Sequence, residues 1–314
     1  MRLLPKIFSK GAFLLLILIS ITGTIRASVK YEIPDLSTLD RCLAAKGQTD
    51  AKYEQRIDRM KQQLQYTGDN HAMRSKLLNE IMEAYLYYQF DSALVYVNKC
   101  YDDAEANHDT RAATSVLLYK ARLLANGGFY NNAEDILKSI DFNKLPDNRL
   151  RYDYAITAYW TYVYWSAFTM DNTFSERIDS LRSHYLDIAI RYEKSDSPNW
   201  YYLMGERAYF MGEKPTKELE WYNKALKRCG TYGRLYSQTT FAIARAYRQM
   251  HNNKLYGQYL VMSAVSDIQG SVKENAALQE LAMYIFDLDH DNATLAHSYL
   301  MAAMDDATFF NNKL

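Results

Sequence analysis

Cysteine is the first scarcity: only Cys42, Cys100 and Cys229 occur in 314 residues. An odd number at such wide spacing excludes a disulfide framework and any CxxC metal knuckle. Cys100 and Cys229 lie in helical apolar patterns, where a small buried thiol is the expected role, and an oxidising compartment leaves room for one incidental disulfide. Glycine and proline are also scarce, at 12 and 5. No long alternating stretch is bounded by turn dipeptides, which excludes strand-built folds. An excess of positive charge is missing as well. The 37 basic residues face 37 acidic ones, which is no footprint for nucleic acid. Catalytic fingerprints are absent too: there is no GxSxG, HExxH, P-loop or dinucleotide glycine motif. The six histidines form no metal spacing, and His290 and His297 stand seven apart without a third ligand. The segment 287–291 opens like an EF-hand loop, but Asn292 replaces the turn glycine and Ser298 the bidentate glutamate. An inter-helix turn is expected there. No enzyme, no cofactor and no metal site is expected.

What is present begins with an address. Arg2, Lys6 and Lys10 precede an apolar core over 12–21, broken only by Ser20, and small and polar residues run on to Ala27. This is the layout of a secretory signal peptide, with cleavage expected after Ala27. The apolar run is short for a membrane span, and no cysteine near the cut offers a lipid anchor. The segment holds four basic residues (Arg2, Lys6, Lys10, Arg26) and no acid, so the exported remainder has 33 basic against 37 acidic residues, a net of −4. The expected location is the periplasm or cell envelope. Membrane attachment is expected only through the leader or through a segment beyond Leu314.

A lead-in over 28–70 carries Tyr53, Ile57, Met60 and Leu64 as one narrow apolar stripe, expected to cap the first repeat. From 71 to 314 the chain reads as a helix-turn-helix unit repeated about six times. The pairs fall at 73–88 with 91–106, 112–126 with 130–140, 148–168 with 175–192, 200–212 with 219–226, 236–249 with 254–268, and 272–286 with 292–309. The clearest copy is Trp200-Tyr201-Tyr202-Leu203-Met204-Gly205 to Gly212, then Leu219-Glu220-Trp221-Tyr222-Asn223-Lys224-Ala225-Leu226. It resembles a tetratricopeptide repeat (TPR), with a small residue at the helix contact and a turn glycine. Gly127-Gly128, Gly212 and Gly230 fall where helix ends want positive φ, and Pro146, Pro198 and Pro215 between helical patterns or at their starts. Small residues at Ala93, Ala133 and Ala246 let neighbouring helices approach. The expected fold is all-α, a right-handed TPR-like superhelical solenoid in which each pair covers the apolar face of the one before.

The aromatic content is high, with 28 tyrosines and 4 tryptophans. The uncharged stretch 154–170 is too short and too hydroxylated for a membrane span, so a buried helix is expected. On a helical wheel Tyr152, Ile156, Tyr159 and Val163 share one face, while Tyr154, Trp165 and Phe168 lie roughly opposite. One face suffices to join a core, and the second must meet either another helix layer or a groove. Tyr154, Trp165, Phe168 and Tyr201 are the candidate anchors of a ligand-binding groove, with core packing as the alternative.

Three further segments are informative: Leu39-Asp40 with Arg56-Ile57-Asp58-Arg59-Met60-Lys61, then Tyr87-Tyr88-Gln89-Phe90-Asp91-Ser92-Ala93-Leu94-Val95-Tyr96, and Asp305-Asp306-Ala307-Thr308-Phe309-Phe310-Asn311. Together with the leader and the repeats they resemble a family of Bacteroidetes cell-envelope regulators. The resemblance implies a periplasmic TPR region followed by a membrane helix, a coiled coil and a cytoplasmic domain thought to regulate transcription. In that arrangement the membrane helix would begin soon after Leu314. The expected function is a sensory or scaffold module that binds a protein, peptide or glycan. The alternatives are a free periplasmic adaptor and a SusD-like nutrient-binding protein, which also contains TPR units. An α-helical glycosidase or lyase would need convergent acids that the sequence does not display.

Overall fold

The computed structural model describes residues 33–168, 172–288 and 290–311, with the leader outside them. Among the described residues there are fourteen α-helices, two 3-10 turns and no strand. Two helices lead in, α1 (Ser37–Ala44) and α2 (Lys46–Gln65). Six consecutive pairs come next: α3 (His71–Tyr85) with α4 (Phe90–Ala106), α5 (Thr110–Asn126) with α6 (Tyr130–Ser139), and α7 (Asn148–Phe168) with α8 (Asn172–Tyr192). The other three are α9 (Pro198–Phe210) with α10 (Pro215–Leu226), α11 (Arg234–Gln249) with α12 (Asn253–Gln269), and α13 (Ala276–Leu288) with α14 (Ala293–Asn311).

One capping device opens five of the six leading helices. The side chains of Asn70, Asp109, Asp147, Ser197 and Asn275 each accept the backbone N–H three residues on, at 2.8–3.0 Å, satisfying a donor the helix cannot. Helix ends are closed by positive φ, at Gly128 (83°) and Gly212 (67°) and, with a side chain, at His251 (54°). In each case the next N–H reaches back to the helix, Phe129 to the Leu124 carbonyl, Glu213 to Ala208 and Asn252 to Tyr247. The sixth pair starts later than the apolar pattern suggests, at Ala276 rather than 272. Ser271 at φ 51° ends α12 and the Asn275 cap restarts the chain, so the residues between form a connector.

Packing follows the small residues. Ala93, Ala133 and Ala246 are fully buried, and a Cβ on Gly205 would land inside the Tyr222 ring, so only glycine lets α9 meet α10 there. Helix α7, uncharged from Tyr154 onward, is buried on both sides. Tyr152, Ala155, Ile156 and Tyr159 join a core with α9, α10 and α11, while Leu150, Tyr154, Ala158, Tyr162 and Trp165 join another with α5 and α6.

The two ends of the repeat array meet, which the repeat pattern alone does not suggest. The stripe of α2 packs on the first pair as expected, and the Tyr53 hydroxyl donates to the Ala84 carbonyl at 2.8 Å. Helix α1 instead packs on the last two pairs, where Leu39 is fully buried beside Leu260, Leu278 and Tyr299. The Tyr299 hydroxyl donates to Asp40. From the other end, Phe309 lies 5.2 Å from Tyr88 and Phe310 lies 6.1 Å from Phe90. Lys273, 3% exposed, sits at the junction. Its N–H donates to the Tyr87 carbonyl at 2.9 Å, and its ammonium pairs with Asp50 at 2.6 Å and Asp306 at 3.0 Å. Lys46 adds a second pair to Asp306 at 2.7 Å. A solenoid needs its terminal faces capped, and here the terminal faces cap each other.

Candidate ligand-binding cavity

The leading helices of five pairs turn one face each toward a common cavity of about 520 Å³. Helix α5 contributes Arg111, Ser115, Tyr119 and Arg122, and α7 contributes Arg149, Tyr152, Asp153, Ile156 and Trp160. Glu83 of α3, Tyr202 of α9, and Arg234 and Gln238 of α11 complete the wall. These spacings of three and four residues place each set on a single helix face. The volume lies within the range of roughly 300–1,000 Å³ usual for small-ligand sites. Trp160, Tyr202, Arg234 and Gln238 also border an adjoining lobe of about 430 Å³, walled further by Tyr164, Tyr209 and Phe210.

Four arginines and two acids line the first cavity. Arg111 pairs with Asp147 at 2.8 Å, Arg149 with Asp153 at 3.1 Å, and Arg234 with Glu274 at 2.6 Å and more loosely with Asp267 at 3.8 Å. Glu83 accepts from the Tyr119 hydroxyl at 2.9 Å. Arg122 differs from the others, because it makes no ion pair or hydrogen bond with any described residue. Its guanidinium stands 5.5 Å from the centre of the Tyr87 ring, which Arg234 approaches at 4.6 Å. In the adjoining lobe Glu206, 3% exposed, accepts from Tyr159 at 2.8 Å, Tyr222 at 2.7 Å and Arg245 at 2.7 Å. Burial pushes the Asp267 carboxyl up to about 7 despite Arg234 beside it, and raises Asp153 as well. Burial also raises the Tyr152, Tyr164 and Tyr202 phenols, keeping them neutral donors. Among the described residues no cluster of three or more His, Cys, Asp or Glu could hold a metal ion.

The four aromatics nominated from sequence do not come together. Tyr154 is buried, donating to the Leu137 carbonyl at 3.1 Å and lying edge-on to Phe142. Trp165 is 9% exposed and stacks on Tyr130 at 5.6 Å, and Phe168, 76% exposed, flanks that same ring. Tyr201 belongs to another core, stacked on Trp221 at 6.2 Å, with its hydroxyl donating to Asp196 at 2.7 Å. None of the four lines the central cavity or its adjoining lobe. Tyr154 alone of them borders a smaller open cleft of about 320 Å³ between α6, α7 and α8. The wheel separates the two faces of α7 correctly, but the face that meets the cavity is that of Tyr152, Ile156 and Trp160. The Tyr154 face is covered by α6 and α8, because the second helix of a pair packs behind the first. The missed signal is an arginine-and-aromatic stripe repeated on successive leading helices, Arg111, Ser115, Tyr119, Arg122 and then Arg149, Asp153, Ile156, Trp160.

A family model described as the SusR N-terminal TPR domain matches residues 43–314. The chain belongs to this family. No curated protein and no solved structure matches it. The match begins within α1 and runs through α14, so the SusR N-terminal TPR domain takes in the ring-closing contacts of α2 as well as the six pairs. TPR domains generally mediate protein–protein interaction, and this one is a helical interaction module. No described helix is long and apolar enough to cross a membrane.

Proposed function

We propose that this SusR-type TPR domain is the sensory module of an exported cell-envelope regulator. A peptide, protein segment or glycan enters the central cavity, and occupancy passes on through the last helix pair. The carrying observation is the continuity between cavity and ring closure. Arg234 lines the cavity and holds Glu274, and the neighbouring Lys273 ties Tyr87, Asp50 and Asp306 together. A ligand that competes for Arg234 alters the hold on Glu274, and through it the contact that joins α14 to the lead-in. The leader pattern supports a periplasmic location, and the family supports a regulatory role.

Trp160, half-buried and bordering both lobes, offers the rigid apolar plane such sites use. The test is a thermal-shift screen of short peptides and oligosaccharides against the wild type and Trp160→Ala. Compounds that stabilise the wild type should lose about 2 kcal/mol of binding in the variant, each shift being read against that protein's own unliganded melting temperature because Trp160 also packs on Tyr159 and Tyr164. Equal binding to both proteins would move the site out of the cavity and sink the reading.

A further inference from the structure

Three of the four cavity arginines are already neutralised by carboxylates, and the cavity's own acids are engaged. Glu83 accepts from Tyr119, and Asp153 is held by Arg149. Arg122 is left over. It is only partly exposed, and beyond the Tyr87 ring and the more distant charge of Asp153 it has no bonded counter-ion, which is costly for a desolvated charge. A second guanidinium, that of Arg234, shares the same Tyr87 ring and adds repulsion. A planar fork of donors so placed matches a carboxylate in bidentate geometry.

We infer that the cavity takes a ligand bearing a carboxylate and that Arg122 receives it. This rests on the reading that the cavity is the binding site. Glu83, bonded only by the neutral Tyr119 phenol, offsets the Arg122 charge across the cavity, so the wall carries no surplus positive charge, which favours a monoanion over a phosphate dianion. The ring faces of Tyr119, Tyr152 and Trp160 receive the ligand body, and about 520 Å³ accommodates one or two residues of an acidic sugar or a short peptide.

Both sources share the carboxylate, and calorimetry on the full chain separates them. The probes are digalacturonate against neutral galactobiose, and the dipeptide Tyr-Ala against its C-terminal amide. In one pair the acid should bind at least tenfold more tightly than its neutral partner, and that pair names the source. Arg122→Gln should erase the preference without lowering the melting temperature, and Arg122→Lys, which keeps charge but loses the fork, should retain part of it. Equal binding of acid and neutral probe, a preference that survives Arg122→Gln, or no binding of either acid would overturn the inference. Equal binding that Trp160→Ala abolishes would leave the cavity as the site while removing the carboxylate.

Discussion

At the scale of single residues, what a side chain does here is set by its neighbours rather than its type. Trp160 and Trp165 lie on the same helix, yet the first borders the cavity and the second is packed against Tyr130. Trp165→Ala should therefore cost about 3–5 kcal/mol of unfolding free energy in urea titrations. Retention of wild-type stability by that variant would free Trp165 from the core. The tyrosines divide in the same way. Tyr159 and Tyr222 serve a buried carboxylate at Glu206, whereas Tyr119 serves Glu83 on the cavity wall. The three cysteines are free. Burial drives the Cys100 thiol up to about 12, leaving it inert, while Cys229, expected inside a helix, lies just past α10 and is half-buried.

At the scale of elements, the junction of α11, α12 and the connector before α13 carries a titratable group. Asp267 of α12 is 4% exposed, with Arg234 of α11 at 3.8 Å and Glu274 of the connector drawing on the same guanidinium. Its carboxyl titrates at about 7 in the fold against an ordinary 3.8. Between those values the folded state holds a proton that the unfolded chain has released, so this group lowers stability as pH rises through about 4 to 7. Above that window its contribution is flat. Melting temperatures of wild type and Asp267→Asn, compared from pH 5 to pH 8, should show the wild type losing ground relative to the variant. Parallel profiles would mean that Asp267 is ionised throughout.

At the scale of the whole molecule, closure of the array is the organising event. Lys273 joins the first pair, the lead-in and the last helix through five contacts, to Tyr87, Asp50, Asp306 and the rings of Tyr88 and Phe309. Lys273→Met leaves Asp306, 1% exposed, with Lys46 alone and should cost about 3–5 kcal/mol, as removal of one partner from a buried pair does. Hydrogen exchange should then speed up in α1, α2 and α14 while the middle pairs stay protected. Uniform loss of protection along the chain would instead mean that the ring unfolds as one unit and that closure is no separate step.

The repeat count, the helix class and most helix boundaries were legible in the sequence, because they follow from local chemistry. Apolar spacing of three and four residues, caps such as Asp109 and Ser197, positive-φ glycines and small residues such as Gly205 act within a few residues or one neighbouring helix. The buried, two-faced character of α7 was legible for the same reason. Tertiary structure alone decided which face of α7 meets the cavity, since that depends on where α6 and α8 pack behind it. It alone brought Arg122 and Arg234 to the ring of Tyr87, and Lys273 to Asp50 and Asp306. Those partners are separated by whole repeats, and no period in the sequence encodes the summed curvature that closes the array.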